Sequence, residues 1–316
     1  MVVSTILSVA SLQGIINTLQ AFPLFVYLFS FIKDLVVAVL KTGPIPRHVA
    51  LIMDGNRTYA KRNQLALKDG HSAGAESLLL VLDVCYRVGV LYITIYAFSI
   101  ENFNRSLEEV DTLFGLLRDR LKLLCENDDS YASVNKVRIK VIGNRDMIPH
   151  DILKDLETIE DKTNTPMVNK VLYVGFPYTS RDDITHSIRT TVDQLNLGEI
   201  RRDQIDLEML QKNMYMGADA PQLDLLVRTS GHTRLSDFML WQCNANCTIE
   251  FVKTLWPDFK FLSIASLLFK WSYYKTLQLQ VESAAAEVPH NTHEPTDIFN
   301  QLPPPPPFAS VTQRQL

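Results

Sequence analysis

The chain has 316 residues, 47% of them hydrophobic, with a formal net charge of −4 and an isoelectric point near 6.0. That length can bury a substantial core, and with no long basic run or aromatic-interleaved basic stripe the composition argues against a nucleic-acid partner. Cys85, Cys125, Cys243 and Cys247 lack the paired CxxC spacing of a zinc site and read as reduced thiols.

In chain order, residues 1–46 come first and stand apart as an apolar, membrane-associating segment. No charged side chain occurs between Val2 and Ile32, and Lys33, Asp34 and Lys41 are the only charges before Arg47. The run exceeds the roughly 20 residues that a span requires, yet Ser4, Ser8, Ser11, Gln13, Asn17, Gln20 and Pro23 interrupt it. No basic stretch precedes it, so a cleaved signal peptide fits poorly. Residues 21–40 read as a segment that dips into a bilayer or hairpins within it, the alternative being an extra helix packed on the folded domain. "KTGPIPR" (41–47) punctuates the junction to that domain, taken as residues 47–280.

From there short apolar runs alternate with amphipathic stretches. Strands are expected at 48–53, 91–97, 137–142, 170–176, 223–228 and 247–252, all mostly apolar, as in a parallel sheet covered on both faces. Helices are expected at 71–88, 106–126, 149–163, 180–194 and 205–214, with a last, very apolar one at 258–277. The alternation predicts an α/β class: a single domain with a mostly parallel six-stranded sheet flanked by helices. Residues 281–316 form a Pro-rich tail expected to be disordered from 283, and Pro303–Pro307 favour an extended polyproline helix.

In open α/β sheets ligands bind beyond the carboxyl ends of strands. The first strand is followed by Asp54, Gly55, Asn56 and Arg57. The second leads into Phe98, Ser99, Asn102, Phe103 and Arg105, and the fifth into Arg228, Gly231, Arg234 and Ser236. Three strand ends thus deliver one acid, several hydroxyls and amides, and four arginines to one edge, the composition of a site for polyanionic ligands. Singly these signals are soft: Asp-Gly-Asn is a turn sequence, "RTSGHTRLS" reads equally as a solvated loop, and His71 as a core histidine. No GxGxxG, GxxxxGK[ST] or GxSxG is present.

The segments "HVALIMDGNR", "GHSAGAESL", "YAFSIENFNR", "FPYTSRDDI", "LLVRTSGHTRLSDFMLWQ" and "LWPDF" closely resemble the cis-prenyltransferases, the undecaprenyl/dehydrodolichyl diphosphate synthase family, in order over residues 45–275. Within it the chain looks most like the fungal dehydrodolichyl diphosphate synthase catalytic subunits, nearest to the lipid-droplet-associated yeast form. The resemblance implies an apolar tunnel between sheet and helices, and repeated condensation of isopentenyl diphosphate onto farnesyl or a related allylic diphosphate. The product would be long-chain dehydrodolichyl diphosphate for dolichol synthesis and protein glycosylation. It implies Asp54, Asn102 and His71 as catalytic, with Asp54 binding Mg²⁺. Gly55, Asn56, Arg57, Arg105 and Ser99 would hold the allylic diphosphate, and Arg228, Arg234 and Ser236 the isopentenyl diphosphate.

The chain departs from the family pattern in four places. Thr58 stands where a second arginine is usual, Leu67 where bacterial members carry an arginine, and Thr248 near a bacterial metal-associated glutamate, with Glu250 on the same strand. Single-subunit members end in an Arg-x-Gly segment, whereas Gly231 is the last glycine in this sequence. The resemblance therefore implies a heteromer in which a Nogo-B-receptor-like subunit supplies that tail. It also implies membrane association, at the cytoplasmic face of the endoplasmic reticulum or at lipid droplets. Two competing readings are a non-catalytic subunit and a membrane-tethered adaptor using Pro303–Pro307.

Overall fold

The computed structural model describes residues 23–126, 129–217 and 220–286. The chain divides into two units, Met1–Thr276 and Leu277–Leu316. The first unit holds a six-stranded, all-parallel sheet in the order β3-β4-β2-β1-β5-β6. Its strands are β1 (His48–Ile52), β2 (Tyr92–Tyr96), β3 (Val137–Ile142), β4 (Lys170–Gly175), β5 (Leu225–Arg228) and β6 (Thr248–Phe251). Each lies within two residues of its expected span. The helices are α1 (Pro23–Leu40), α2 (Asn56–Arg62), α3 (Leu67–Val88), α4 (Leu107–Cys125), α5 (Tyr131–Asn135), α6 (His150–Thr163), α7 (Ser180–Asn196), α8 (Leu207–Lys212) and α9 (Phe261–Ala286).

Central strands of a parallel sheet are covered on both faces, which is why β1 reads as a continuous apolar run. All five of its residues are buried. Its one polar member, His48, is paired: Nδ1 lies 3.0 Å from the Pro221 carbonyl oxygen and Nε2 2.7 Å from Thr94 Oγ1. Burial lowers its pKa to about 4, so the ring is neutral, with Nδ1–H donating to the carbonyl and Nε2 accepting from the hydroxyl. Because β2 lies on one side of β1 and β5 on the other, strand order reverses at β1. The crevice at such a reversal is where this class of sheet binds ligands.

Two short helices, α2 and α5, were not expected. Each is under three turns, too short to show a 3.6-residue period, and α2 begins inside what reads as a turn. Its start depends on Gly55, whose φ of +114° is open to glycine and strained for other residues. At the other end, α9 runs past its expected stop at 277 and through residues 283–286, placed in the tail from sequence. The reason is local: "VESAAA" ends in alanines, the best helix formers. Pro303–Pro307 lie outside the described residues.

The described part of residues 21–40 is one continuous helix, without a hairpin. Among the described residues no helix is long and apolar enough to cross a membrane. The second half of α1 rests on the protein, with Val37 and Leu40 in the core and Asp34 ion-paired to Arg87 of α3 at 2.5 Å. Its first half does not: Leu24, Tyr27, Phe29 and Phe31 are all exposed.

Candidate active site

A cavity of about 850 Å³ opens at the carboxyl ends of β1, β2, β4 and β5. The residues to which the resemblance gives catalytic, diphosphate-binding or metal roles all line it: Asp54, Gly55, Asn56, Arg57, His71, Ser99, Asn102, Arg105, Arg228, Arg234 and Ser236. Its polar half is formed by these side chains. The other half is walled by Ala75 and Leu78 of α3 and by Leu113, Leu116 and Leu117 of α4. The spacing 113, 116, 117 and 120 is one face of a helix, so α4 presents three leucines and then Arg120, whose guanidinium donates to Ser72 Oγ on α3.

The turn after β1 is braced from behind. The Asp54 carbonyl accepts from Thr229 Oγ1 at 2.6 Å and from the Trp256 amide at 3.0 Å. Trp256, buried in "LWPDF", donates its indole N–H to the Gly74 carbonyl at 2.8 Å. Gly70 and Gly74, one turn apart on α3, let α2 approach. A Cβ on Gly70 would sit 2.7 Å from the Asn56 carbonyl, and one on Gly74 would overlap Asn56 Oδ1.

Arg228 is the hub of the β1/β5 side. Its side chain is 4% exposed and donates to Asp54 Oδ2 at 2.8 Å, to the Arg234 carbonyl at 2.6 Å and to Ser236 Oγ at 2.7 Å. A buried guanidinium is tolerated because a carboxylate and two neutral acceptors replace its water. Asp54 Oδ2 also meets His232 Nδ1 at 3.0 Å. The loop carrying these groups is bent by left-handed residues, with φ of +76° at Ser230, +77° at Gly231, +50° at Ser236 and +59° at Asp237. Such strain in non-glycine residues persists where surrounding bonds over-determine the conformation.

Across the cavity, Arg105 donates to Glu109 Oε1 at 2.7 Å, and Arg57 Nη1 lies 4.0 Å from the same oxygen. His71 sits among them with Nε2 buried and without a partner among the described residues. Burial, and the positive charges of Arg105 and Arg57, lower its pKa, with Glu109 opposing them. Ser99 and Asn102 cap the 3₁₀ turn Ile100–Asn104 reciprocally. Ser99 Oγ accepts from the Glu101 amide at 3.2 Å, and Asn102 Oδ1 accepts from the Ser99 amide at 3.0 Å. Phe98 is 1% exposed and packs edge-on against Phe103, Phe114 and Phe176; Phe98 is a core aromatic, Phe103 is partly buried against the core, and neither lines the cavity.

Several lining residues were not foreseen: Tyr96, Glu101, Arg120, Arg181, His232 and Asp237. Arg181 was findable, since it follows β4, a strand end not considered, within the quoted "FPYTSRDDI". Glu109, which does not line the cavity, also signals itself as the i+4 partner of Arg105. Glu250, considered as a metal ligand, is instead paired with Lys270 at 2.8 Å.

Asp54 suits a divalent cation of the Mg²⁺ type. Such ions take hard oxygen ligands and are held by one or two carboxylates together with substrate phosphates. Asp54 Oδ1 makes no hydrogen bond to a described residue, and its carboxyl is 33% exposed. The described residues contain no group of three or more His, Cys, Asp or Glu able to hold a metal.

Residues 52–277 match the family described as "Putative undecaprenyl diphosphate synthase". The chain is similar to the dehydrodolichyl diphosphate synthase complex subunit SRT1 of Saccharomyces cerevisiae, at 40% identity over 84% of this chain and 77% of the relative. It is also similar to the human subunit DHDDS, at 36% identity over 79% and 74%. The archaeal geranylgeranyl-diphosphate-specific tritrans,polycis-undecaprenyl-diphosphate synthase of Archaeoglobus fulgidus is 34% identical over 75% and 93%. Among solved structures, lavandulyl diphosphate synthase from Lavandula x intermedia, in complex with dimethylallyl diphosphate, superposes with a TM-score of 0.66 and 27% identity, over 72% of this chain and 95% of that one. Fold, strand-end site and these likenesses agree: the chain belongs to the cis-prenyltransferase family.

Proposed function

We propose that this chain elongates prenyl diphosphates, condensing isopentenyl diphosphate repeatedly onto farnesyl or a related allylic diphosphate with Z geometry. The product is long-chain dehydrodolichyl diphosphate for dolichol synthesis and protein glycosylation. One observation carries the reading: a single cavity is lined by Asp54 with Arg228 paired to it, by Arg57 and Arg105, which share Glu109, by Arg234, and by the leucines of α4. Two diphosphates and one growing hydrocarbon call for that division of surface.

Arg57, Arg105 and the backbone amides at the start of α2 bind the allylic diphosphate and stabilise the charge that develops as its C–O bond breaks. Arg228, Arg234 and Ser236 bind isopentenyl diphosphate, with Arg228 oriented beforehand by its three bonds. When bound at Asp54, Mg²⁺ supplies positive charge against the phosphate oxygens. Asn102, which lines the cavity, orients the site, and the C2 proton of the new unit leaves to a diphosphate oxygen. Glu109 neutralises Arg105 until a diphosphate competes for it.

His71 gives this assignment a pH signature. Its imidazole is held neutral by burial and by Arg105 and Arg57. A bound anion opposes the two arginines and favours the imidazolium. In an NMR titration of the free protein His71 therefore has its midpoint below the ordinary 6.5, and saturating inorganic diphosphate raises it. An unchanged midpoint places the anion elsewhere.

A cavity of this volume is that of an ordinary ligand pocket, and a product of many isoprene units outgrows it. The exposed apolar half of α1 provides a lipid contact for such a product, at an endoplasmic reticulum or lipid-droplet surface. Burying a large apolar side chain contributes about 1.5–3 kcal/mol. Replacing Tyr27 and Phe31, 77% and 65% exposed, by Asp should therefore lower binding to phosphatidylcholine vesicles at least about tenfold, with thermal stability unchanged. Undiminished binding moves the contact to another surface.

Two of the relatives are named as complex subunits, which supports a partner subunit; the partner proposed here is Nogo-B-receptor-like and bears an Arg-x-Gly terminus. The test is incorporation of labelled isopentenyl diphosphate onto farnesyl diphosphate with Mg²⁺, by the chain alone and with that partner. Long products only with the partner support the heteromer; long products from the chain alone contradict it. Absence of products in both favours the non-catalytic reading.

A further inference from the structure

Arg181, the second residue of α7, forms a bridge that the substrate assignments leave unused. Its Nε donates to Asp237 Oδ2 at 2.7 Å, its backbone N–H to Asp237 Oδ1 at 3.2 Å, and its Nη2 to Glu101 Oε1 at 3.0 Å. The carboxylates belong to different strand ends, Glu101 to the segment after β2 and Asp237 to the loop after β5, and all three residues line the cavity. Each carboxylate is next in sequence to a residue assigned to substrate: Glu101 precedes Asn102, and Asp237 follows Ser236.

The two ends of the bridge differ. Asp237 is fixed, its side chain 11% exposed, its φ left-handed, and its carbonyl accepting from the Ser180 amide at 2.7 Å. Ser236, beside it, accepts from Arg228 through Oγ and from Tyr96 OH through its carbonyl at 3.1 Å. Glu101 is 60% exposed and is held by its own turn and by Arg181. Ion pairs this exposed add little to folding stability. What the bridge fixes is a distance, that between the allylic segment and the isopentenyl loop.

We propose that Arg181 is a positioning residue for elongation, clasping the Ile100–Asn104 turn to the Arg228–Asp237 loop so that the two diphosphate subsites keep one spacing through successive condensations. This rests on the two-subsite reading above. Misplacing reacting groups by about an ångström can cost a hundredfold in rate, so loosening the clasp slows each condensation without unfolding the protein. Slower condensation against unchanged release also shortens the products.

The test is a double-mutant cycle on the full-length chain, assayed under the conditions in which the unaltered protein elongates. Arg181→Gln should lower kcat/KM for isopentenyl diphosphate about 10- to 50-fold and shift products to shorter chains, in a protein that stays folded although Asp237, 11% exposed, loses its charged partner. Glu101→Gln alone should cost about three- to tenfold, and in the Arg181→Gln background less than about twofold more, because coupled residues are not additive. Additive losses, or a gain in substrate affinity from Glu101→Gln, overturn the clasp and make Arg181 a direct phosphate ligand. A second readout is independent of turnover. Arg181→Gln should speed amide hydrogen exchange in residues 99–105 and 234–240 together, and unchanged exchange in either segment overturns the proposal. Failure of the unaltered protein to elongate strikes the two-subsite reading, whereas exchange tests the clasp alone.

Discussion

Asp54→Asn is expected to reduce turnover at least about a thousandfold, the scale of losing a principal electrostatic group at a reacting centre. The substitution keeps size and shape but removes the charge. Asp54 is the only carboxylate paired with Arg228 among the described residues, so a stability cost comes with the kinetic one. Removing one partner of a buried pair costs about 3–5 kcal/mol. That figure is reduced here because Asp54 is one-third exposed and the asparagine oxygen still accepts from Nη2. About 1–2 kcal/mol is expected in urea unfolding, a protein still folded but weakened. Asp54→Ala, which leaves Nη2 without its partner, should cost more. A variant retaining a tenth of normal activity would show that Asp54 serves to hold Arg228 and not to act on the diphosphate.

Gly74→Ala is the second large effect, from one methyl group. A Cβ there overlaps Asn56 Oδ1 and comes within 2.9 Å of Trp256 Cδ1. Trp256 is buried and tied to the Gly74 carbonyl, so it cannot yield cheaply. The strain falls on Asn56, which must leave its place at the start of α2. Overpacking of this kind costs about 1–3 kcal/mol, and displacement of Asn56 should lower kcat/KM for the allylic substrate about a hundredfold. Gly115→Ala is the control. On α4 its Cβ meets nothing within 4 Å, and alanine is the better helix former, so stability should rise by about 0.5–1 kcal/mol with activity kept. Equal behaviour of the two variants would remove the close approach of α2 and α3 from the account.

Much of this was legible in the letters. β1 is readable because all five of its residues are buried, leaving no polar alternation, and β5, buried throughout, follows the same logic. The site was readable through strand ends: once 48–53, 91–97 and 223–228 are strands, Asp54, Arg105 and Arg228 must share an edge. What escaped was tertiary. Arg181 acts across two loops brought together by the order β4-β2-β1-β5, an order that spacing does not encode. His232 reaches Asp54 because Ser230 and Gly231 turn the loop back through left-handed conformations. The fate of α1 depended on the site where Val37 and Leu40 dock, while its composition reported only that it is apolar.

The most direct test of the central claim is the first condensation itself. The chain, with its partner, would be given farnesyl diphosphate and one equivalent of labelled isopentenyl diphosphate in a single turnover, and the new double bond assigned by NMR. The expected product is a C20 diphosphate with one added unit in Z geometry, lost in Asp54→Asn. An E double bond, or no C20 product from a folded complex that binds both diphosphates, would contradict the claim.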